Sequence, residues 1–118
     1  MPVISPIGVQ STNERQLLNV NADTVAGSVA VAIRASHLVF LTDVDGVLDS
    51  NGRLIRRIPH ATGGDLIASG VVKGGMIPKL DACLTASAAG VSAHIVNGTR
   101  SGALIGCLEG IVTGTTVT

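Results

Sequence analysis

Apolar runs that give way abruptly to short polar or glycine-bearing junctions constrain this chain most. Three stand out: Asn19-Val20-Asn21-Ala22-Asp23, Leu41-Thr42-Asp43-Val44-Asp45-Gly46-Val47, and Lys73-Gly74-Gly75-Met76-Ile77-Pro78-Lys79. Each lies where an apolar strand passes into a turn or a helix. Open α/β sheets bind their ligands at such strand ends, on loops held by a rigid scaffold. Three such junctions in 118 residues point to a nucleotide or phosphate site.

The elements between the junctions follow from spacing and punctuation. Residues 3–7 read as a short edge or loop-bound strand, because Pro6 cannot donate to a ladder. Residues 10–15 are polar and turn-like, and residues 16–20 form a second short strand. Residues 22–35 contain no proline and carry Val25, Val29, Ala32 and Ile33 on one face at helical spacing. Asn21 is a favourable N-cap, and Asp23 falls in the first turn, where a carboxylate suits the helix dipole. Residues 37–42 are almost wholly apolar, as in a buried parallel strand.

Asp45-Gly46 and Asp49-Ser50-Asn51-Gly52 flank Val47-Leu48, which predicts a hairpin excursion returning through residues 53–58 to Pro59. Gly63 and Gly64 weaken the next helix, which is read as residues 65–69 with Gly70 ending it. A strong helix follows over residues 76–89, capped by Gly90, then a strand over 92–96, a helix over 102–108 and an extended piece over 114–117. This alternation predicts an α/β domain with a mainly parallel sheet flanked by helices. At 118 residues the chain reads as a single domain, 1–118, able to bury a modest core.

Composition removes several classes of function. With 8 basic and 8 acidic residues, formal net charge is zero, and Phe40 is the one aromatic residue. Neither long-range attraction to polyanions nor stacking platforms are available, so nucleic-acid binding is not expected. Cys83 and Cys107 read as separate buried thiols of a reducing compartment. His37, His60 and His94 do not have zinc-ligand spacing, and no metal site is expected. The N-terminal residues lack a basic segment followed by an apolar one, and no window reaches the roughly 18 apolar residues of a membrane span. A cytoplasmic setting without membrane contact is the expectation.

Each junction has a chemical and a structural account. Gly74-Gly75 before a helix exposes backbone N–H groups and aims a positive helix end at an anion, with Lys79 in reach of a phosphoryl group. A helix start beside a solvated lysine explains the same residues about as well, with Pro78 suited to an early helix position. Capping accounts for Asn21 and Asp23 but not for Asn19, whose amide suits a carboxylate or amide ligand. Asp43-Val44-Asp45-Gly46 follows a buried strand, where doubly wound proteins hold nucleotides, and equally makes an Asp-Gly turn. In isolation it also resembles the Asp-x-Asp-Gly signature of haloacid dehalogenase-type enzymes. The other two junctions have no place in that scheme.

Taken in order, the three junctions resemble the acetylglutamate kinase branch of the amino-acid kinase family, over nearly the whole chain and only for the C-terminal, ATP-binding half of such a kinase. The resemblance implies an αβα sandwich truncated at its N-terminal side. It implies ATP-dependent phosphorylation of the γ-carboxylate of N-acetyl-L-glutamate, in arginine biosynthesis, with Mg2+ carried by the nucleotide. Asn19 and Asn21 would belong to the acetylglutamate site, and Asp23 would organise catalytic lysines. Asp43, Val44, Asp45, Gly46, Val47 and Leu48 would line the nucleotide pocket together with Val71, Val72 and Lys73. Lys79 would stabilise charge on the phosphoryl group in transit.

Family members carry a glycine-rich phosphate loop and most of the acetylglutamate pocket upstream of the matching region. The segment Asn97-Gly98-Thr99-Arg100-Ser101-Gly102 lacks the histidine common after the corresponding arginine, whereas Gly114-Thr115 keeps the expected ending. The expectation for this chain alone is therefore nucleotide binding with little turnover, and a homo-oligomer or association with the N-terminal half.

Overall fold

The computed structural model describes residues 1–12, 16–111 and 113–118. Two sheets form. Strands β1 (Ile7–Val9) and β2 (Leu17–Asn19) pair as an antiparallel hairpin, with Ile7 opposite Asn19 and Val9 opposite Leu17. The first strand thus begins after Pro6, not at residue 3, because its pairing follows the partner strand. The Gln10 N–H donates to the Gln16 carbonyl at 2.9 Å, closing the connection. Within the turn expected over 10–15, residues 13–15 lie outside the described residues.

The larger sheet has the order β3-β5-β6-β4, from β3 (His37–Thr42), β4 (Arg57–Ile58), β5 (Ser92–Asn97) and β6 (Gly114–Val117). β3 and β5 run parallel from His37 opposite Ser92 to Thr42 opposite Asn97. β4 and β6 are also parallel, but β6 runs antiparallel to β5, so the sheet is mixed. The backbone around residue 114 lies so close to β5 that a Cβ there would collide with the Ile95 carbonyl oxygen. Glycine is the residue that permits this approach.

Helices α1 (Ala22–Ala32) and α3 (Met76–Ala88) share a core with Leu38, Phe40, Ala93, Ile95 and Val117 on one face of the sheet. α2 (His60–Ala68) packs on α3, and α4 (Ala103–Leu108) contacts β3 and β5. Small residues set the α1–α3 spacing: a Cβ on Gly27 would lie 3.0 Å from the Cβ of Ala82. α1 stops at Ala32, three residues before its expected end. Arg34 adopts φ 53, while the N–H groups of Arg34 and Ala35 donate back to the Val31 and Ala30 carbonyls. That is a Schellman closure with arginine where glycine is usual.

α2 corrects the sequence expectation more strongly, since it begins at His60 and runs through Gly63 and Gly64. Gly63 is buried where a Cβ would strike Leu84 of α3, so packing offsets its poor helix propensity. Among the described residues, no helix is long and apolar enough to cross a membrane.

Candidate functional site

The N-terminal end of α1, the N-terminal end of α3 and the loop leaving β3 meet at one end of the sheet. Asn21 caps α1, its Oδ1 accepting the Thr24 N–H at 3.1 Å. Asp23 lies in the first turn of α1 and is half-buried. Across the helix interface, Lys79 Nζ donates to Asp23 Oδ2 at 2.9 Å, with side-chain exposures of 23% and 18%. The close approach at Gly27 and Ala82, one turn further along both helices, makes this reach possible. Burial first, and then the Asp23 charge, push the neighbouring Cys83 thiol up to about 12, so it stays protonated and unreactive.

Lys79 also lines an open depression of about 330 Å³ with Thr42, Asp43, Val44, Gly75 and Met76. Asp43 is exposed there, its Oδ1 accepting from Thr42 Oγ1 at 3.2 Å. Gly74 has φ 57, and no atom stands within 4 Å of a Cβ placed on Gly74 or Gly75. Backbone approach to the start of the 13-residue helix α3 is therefore open on the side where its dipole is positive. A carboxylate-held ammonium and an accessible helix start suit a polyphosphate, whereas the exposed Asp43 carboxylate would repel one unless a cation stood between them. The residues present fit a nucleotide's phosphates.

The remaining expected site residues divide by environment. Asp45 is held by partners other than Lys79. Its Oδ1 accepts from Asn97 Nδ2 at 2.9 Å and its Oδ2 from Arg100 at 2.7 Å. The Asn97 hydrogen bond, against some desolvation and aided by the Arg100 charge, holds the carboxyl below its usual range. With both oxygens engaged, Asp45 acts as a strut at the loop's base. It borders a separate depression of about 450 Å³ that also includes Arg56, Arg100 and Ser101. This second hollow is the larger, yet Lys79 and Asp43 line the smaller one.

Val47 and Val72 are buried at 1% and 3% exposure, so their side chains belong to the core; the Val47 N–H and carbonyl are bonded to Thr115 and Ile55, and the Val72 N–H to Leu66. Gly46 is buried, Leu48 bridges to Leu54 across the hairpin, Val71 is half-buried and Lys73 is exposed. Asn19 ends β2, two residues before the α1 cap, and is exposed.

Several polar groups escaped the sequence reading because long-range pairing makes them. Asn97 bridges Asp45 and the Thr99 N–H and hydroxyl. Thr115, on β6, is buried against the 45–56 hairpin. His37 and His94, 57 residues apart, stand with Nδ1 and Nε2 3.3 Å from each other, and Ser92 and Thr116 also contact His94. The parallel β3–β5 register brings them together. Among the described residues, no group of three histidine, cysteine or acidic side chains is placed to hold a metal ion.

Known proteins resemble this chain in sequence and in fold. An acetylglutamate kinase of Dehalococcoides mccartyi is 48% identical over 121 residues, covering 99% of this chain and 44% of that protein. One from Citrifermentans bemidjiense is 52% identical over 99 residues, covering 83% of this chain and 33% of its own length. The chain thus spans less than half the length of these relatives. In structure, smu.665 from Streptococcus mutans superposes with a TM-score of 0.81 at 33% identity, over 99% of this chain and 42% of that one. Carbamate kinase from Giardia lamblia shares the fold, with a TM-score of 0.73 at 21% identity, over 92% of this chain and 36% of its own. The family model described as the amino acid kinase family matches residues 1–97, and the chain belongs to that family.

Proposed function

We propose that this chain phosphorylates the γ-carboxylate of N-acetyl-L-glutamate with ATP, binding the nucleotide and stabilising the charge in transit. The observation that carries this reading is the Lys79–Asp23 pair, held at 2.9 Å beside an open depression at the start of α3. Phosphoryl transfer is mainly a matter of positioning and electrostatic stabilisation. Lys79 meets that requirement by presenting a fixed ammonium toward the phosphoryl oxygens, with Asp23 holding its direction. Asp43, Val44 and the segment through Leu48, together with Val71, Val72 and Lys73, line the nucleotide site. Asn19 binds the acetylglutamate, and Asn21 fixes the start of α1 next to it. Magnesium carried by the nucleotide supplies further neutralising charge.

The relatives' names support acetylglutamate as acceptor. Two free, buried thiols fit a reducing, cytoplasmic setting. A second reading is a nucleotide-binding part that turns over only with an N-terminal half. The chain's coverage of 44% of the relative from Dehalococcoides mccartyi favours it. Acetylglutamate-dependent ADP formation, measured on this chain with and without the N-terminal half of such a relative, separates the two. Turnover only in the mixture supports the second reading, and turnover by the chain alone supports the first. ATP consumption in neither case, with no ATP binding, defeats both.

A further inference from the structure

We propose that Thr115 is a positioning residue for the nucleotide-lining segment 43–48, an inference that rests on the function proposed above. Thr115 lies on β6 with no exposed surface, far in sequence from that segment. Its Oγ1 accepts the Val47 N–H at 2.9 Å and donates to the Ile55 carbonyl at 2.7 Å. Val47 and Ile55 are the two sides of the hairpin's neck, since the Ile55 N–H donates to the Val47 carbonyl at 2.8 Å. One hydroxyl therefore fastens both sides of the neck to the central sheet.

Gly46 closes against the same atom. A Cβ at residue 46 would lie 2.6 Å from Thr115 Oγ1 and 2.8 Å from Leu54 Cδ1, and its φ of 144° is one that L side chains rarely adopt. The requirement at 115 is for a group that accepts and donates at once, which a hydroxyl does and a methyl cannot. Valine would have the right shape but would leave a buried N–H and a part-buried carbonyl without this partner. Together with the Asp45–Asn97 hydrogen bond, this clamp fixes the direction in which the chain leaves β3, and so where Asp43 and Val44 stand relative to Lys79.

The test combines amide hydrogen exchange with ATP titration calorimetry on this chain. In the wild type, the Val47 and Ile55 amides are expected to exchange as slowly as those of β6, and much more slowly than those of residues 50–52. Exchange of Val47 together with the tip would overturn the clamp without any variant. T115V is expected to speed exchange across the neck and weaken ATP binding by about tenfold, with T115S restoring both. A folded T115V with wild-type exchange and affinity defeats the proposal, as does a loss in T115V that T115S leaves unrepaired. If the wild type binds no ATP, the proposed function fails, while the exchange experiment still decides whether the clamp exists.

Discussion

Lys79 and Asp23 illustrate how one residue pair can carry both structure and chemistry. In a simple surface ion pair, loss of Lys79 would cost at most about 1 kcal/mol and nothing in turnover. If its ammonium acts on the phosphoryl group in transit, Lys79→Ala lowers kcat on the order of a hundredfold with KM for ATP little changed. Steady-state kinetics on the active assembly makes the distinction, and an unaltered kcat would return Lys79 to a purely structural role. His94 offers a second measurement at this scale. Burial, and then the neighbouring His37, keep the His94 imidazole below its ordinary range. The unfolded chain takes up a proton near pH 6.5, while folded His94 still refuses it. Stability from this group is therefore complete above about pH 6.5 and is lost as pH falls from there toward the folded value. The urea midpoint should drop between pH 7.5 and 5.5, and His94→Gln should shrink that drop; an equal drop in the variant would assign it to other groups.

At the scale of elements, the glycines separate what the sequence made legible from what it concealed. β3 and the start of α3 were readable because each depends on local pattern: an apolar run, and a glycine pair before a helical face. α2 was misread as starting at residue 65, since Gly63 and Gly64 look like helix breakers until Leu84 is known to fill the space beside Gly63. The early end of α1 was hidden because Arg34 occupies the left-handed position that glycine normally marks. The partners of Asp45, Asn97 and Arg100, were hidden because both are more than 50 residues away. Two substitutions test this packing account. Gly64→Ala, with open space around its Cβ, should stabilise the chain by about 0.5–1 kcal/mol. Gly27→Val, against Ala82, should cost about 1–3 kcal/mol by forcing α1 from α3, and should loosen the Asp23–Lys79 contact with it. Thermal or urea denaturation reads both, and a neutral Gly27→Val would show that the helices are not held at this spacing.

The molecule as a whole is lopsided in where it keeps its apolar surface. The core lies between α1, α3 and one face of the four-stranded sheet, whereas the β1–β2 hairpin stands outside it. Ile7, Val9, Leu17 and Leu18 on that hairpin are all exposed, Leu17 at 68%, and Val3 and Ile4 extend the same apolar stretch. A two-stranded hairpin is marginally stable by itself in water, so these side chains gain most from being covered. The hairpin also leads directly into Asn21 and Asp23, so whatever covers it steadies the start of α1 and the site at that end. We therefore expect the chain to self-associate or to pair with an N-terminal half, through the hairpin's apolar side chains. Light scattering should give a mass that rises above 11.8 kDa with concentration. Val9→Lys with Leu17→Lys should shift that mass back toward the monomer while leaving the four-stranded core intact by circular dichroism. A monodisperse mass near 11.8 kDa at every concentration, in the unmodified chain, would show that the exposed hairpin has no such partner in its own kind.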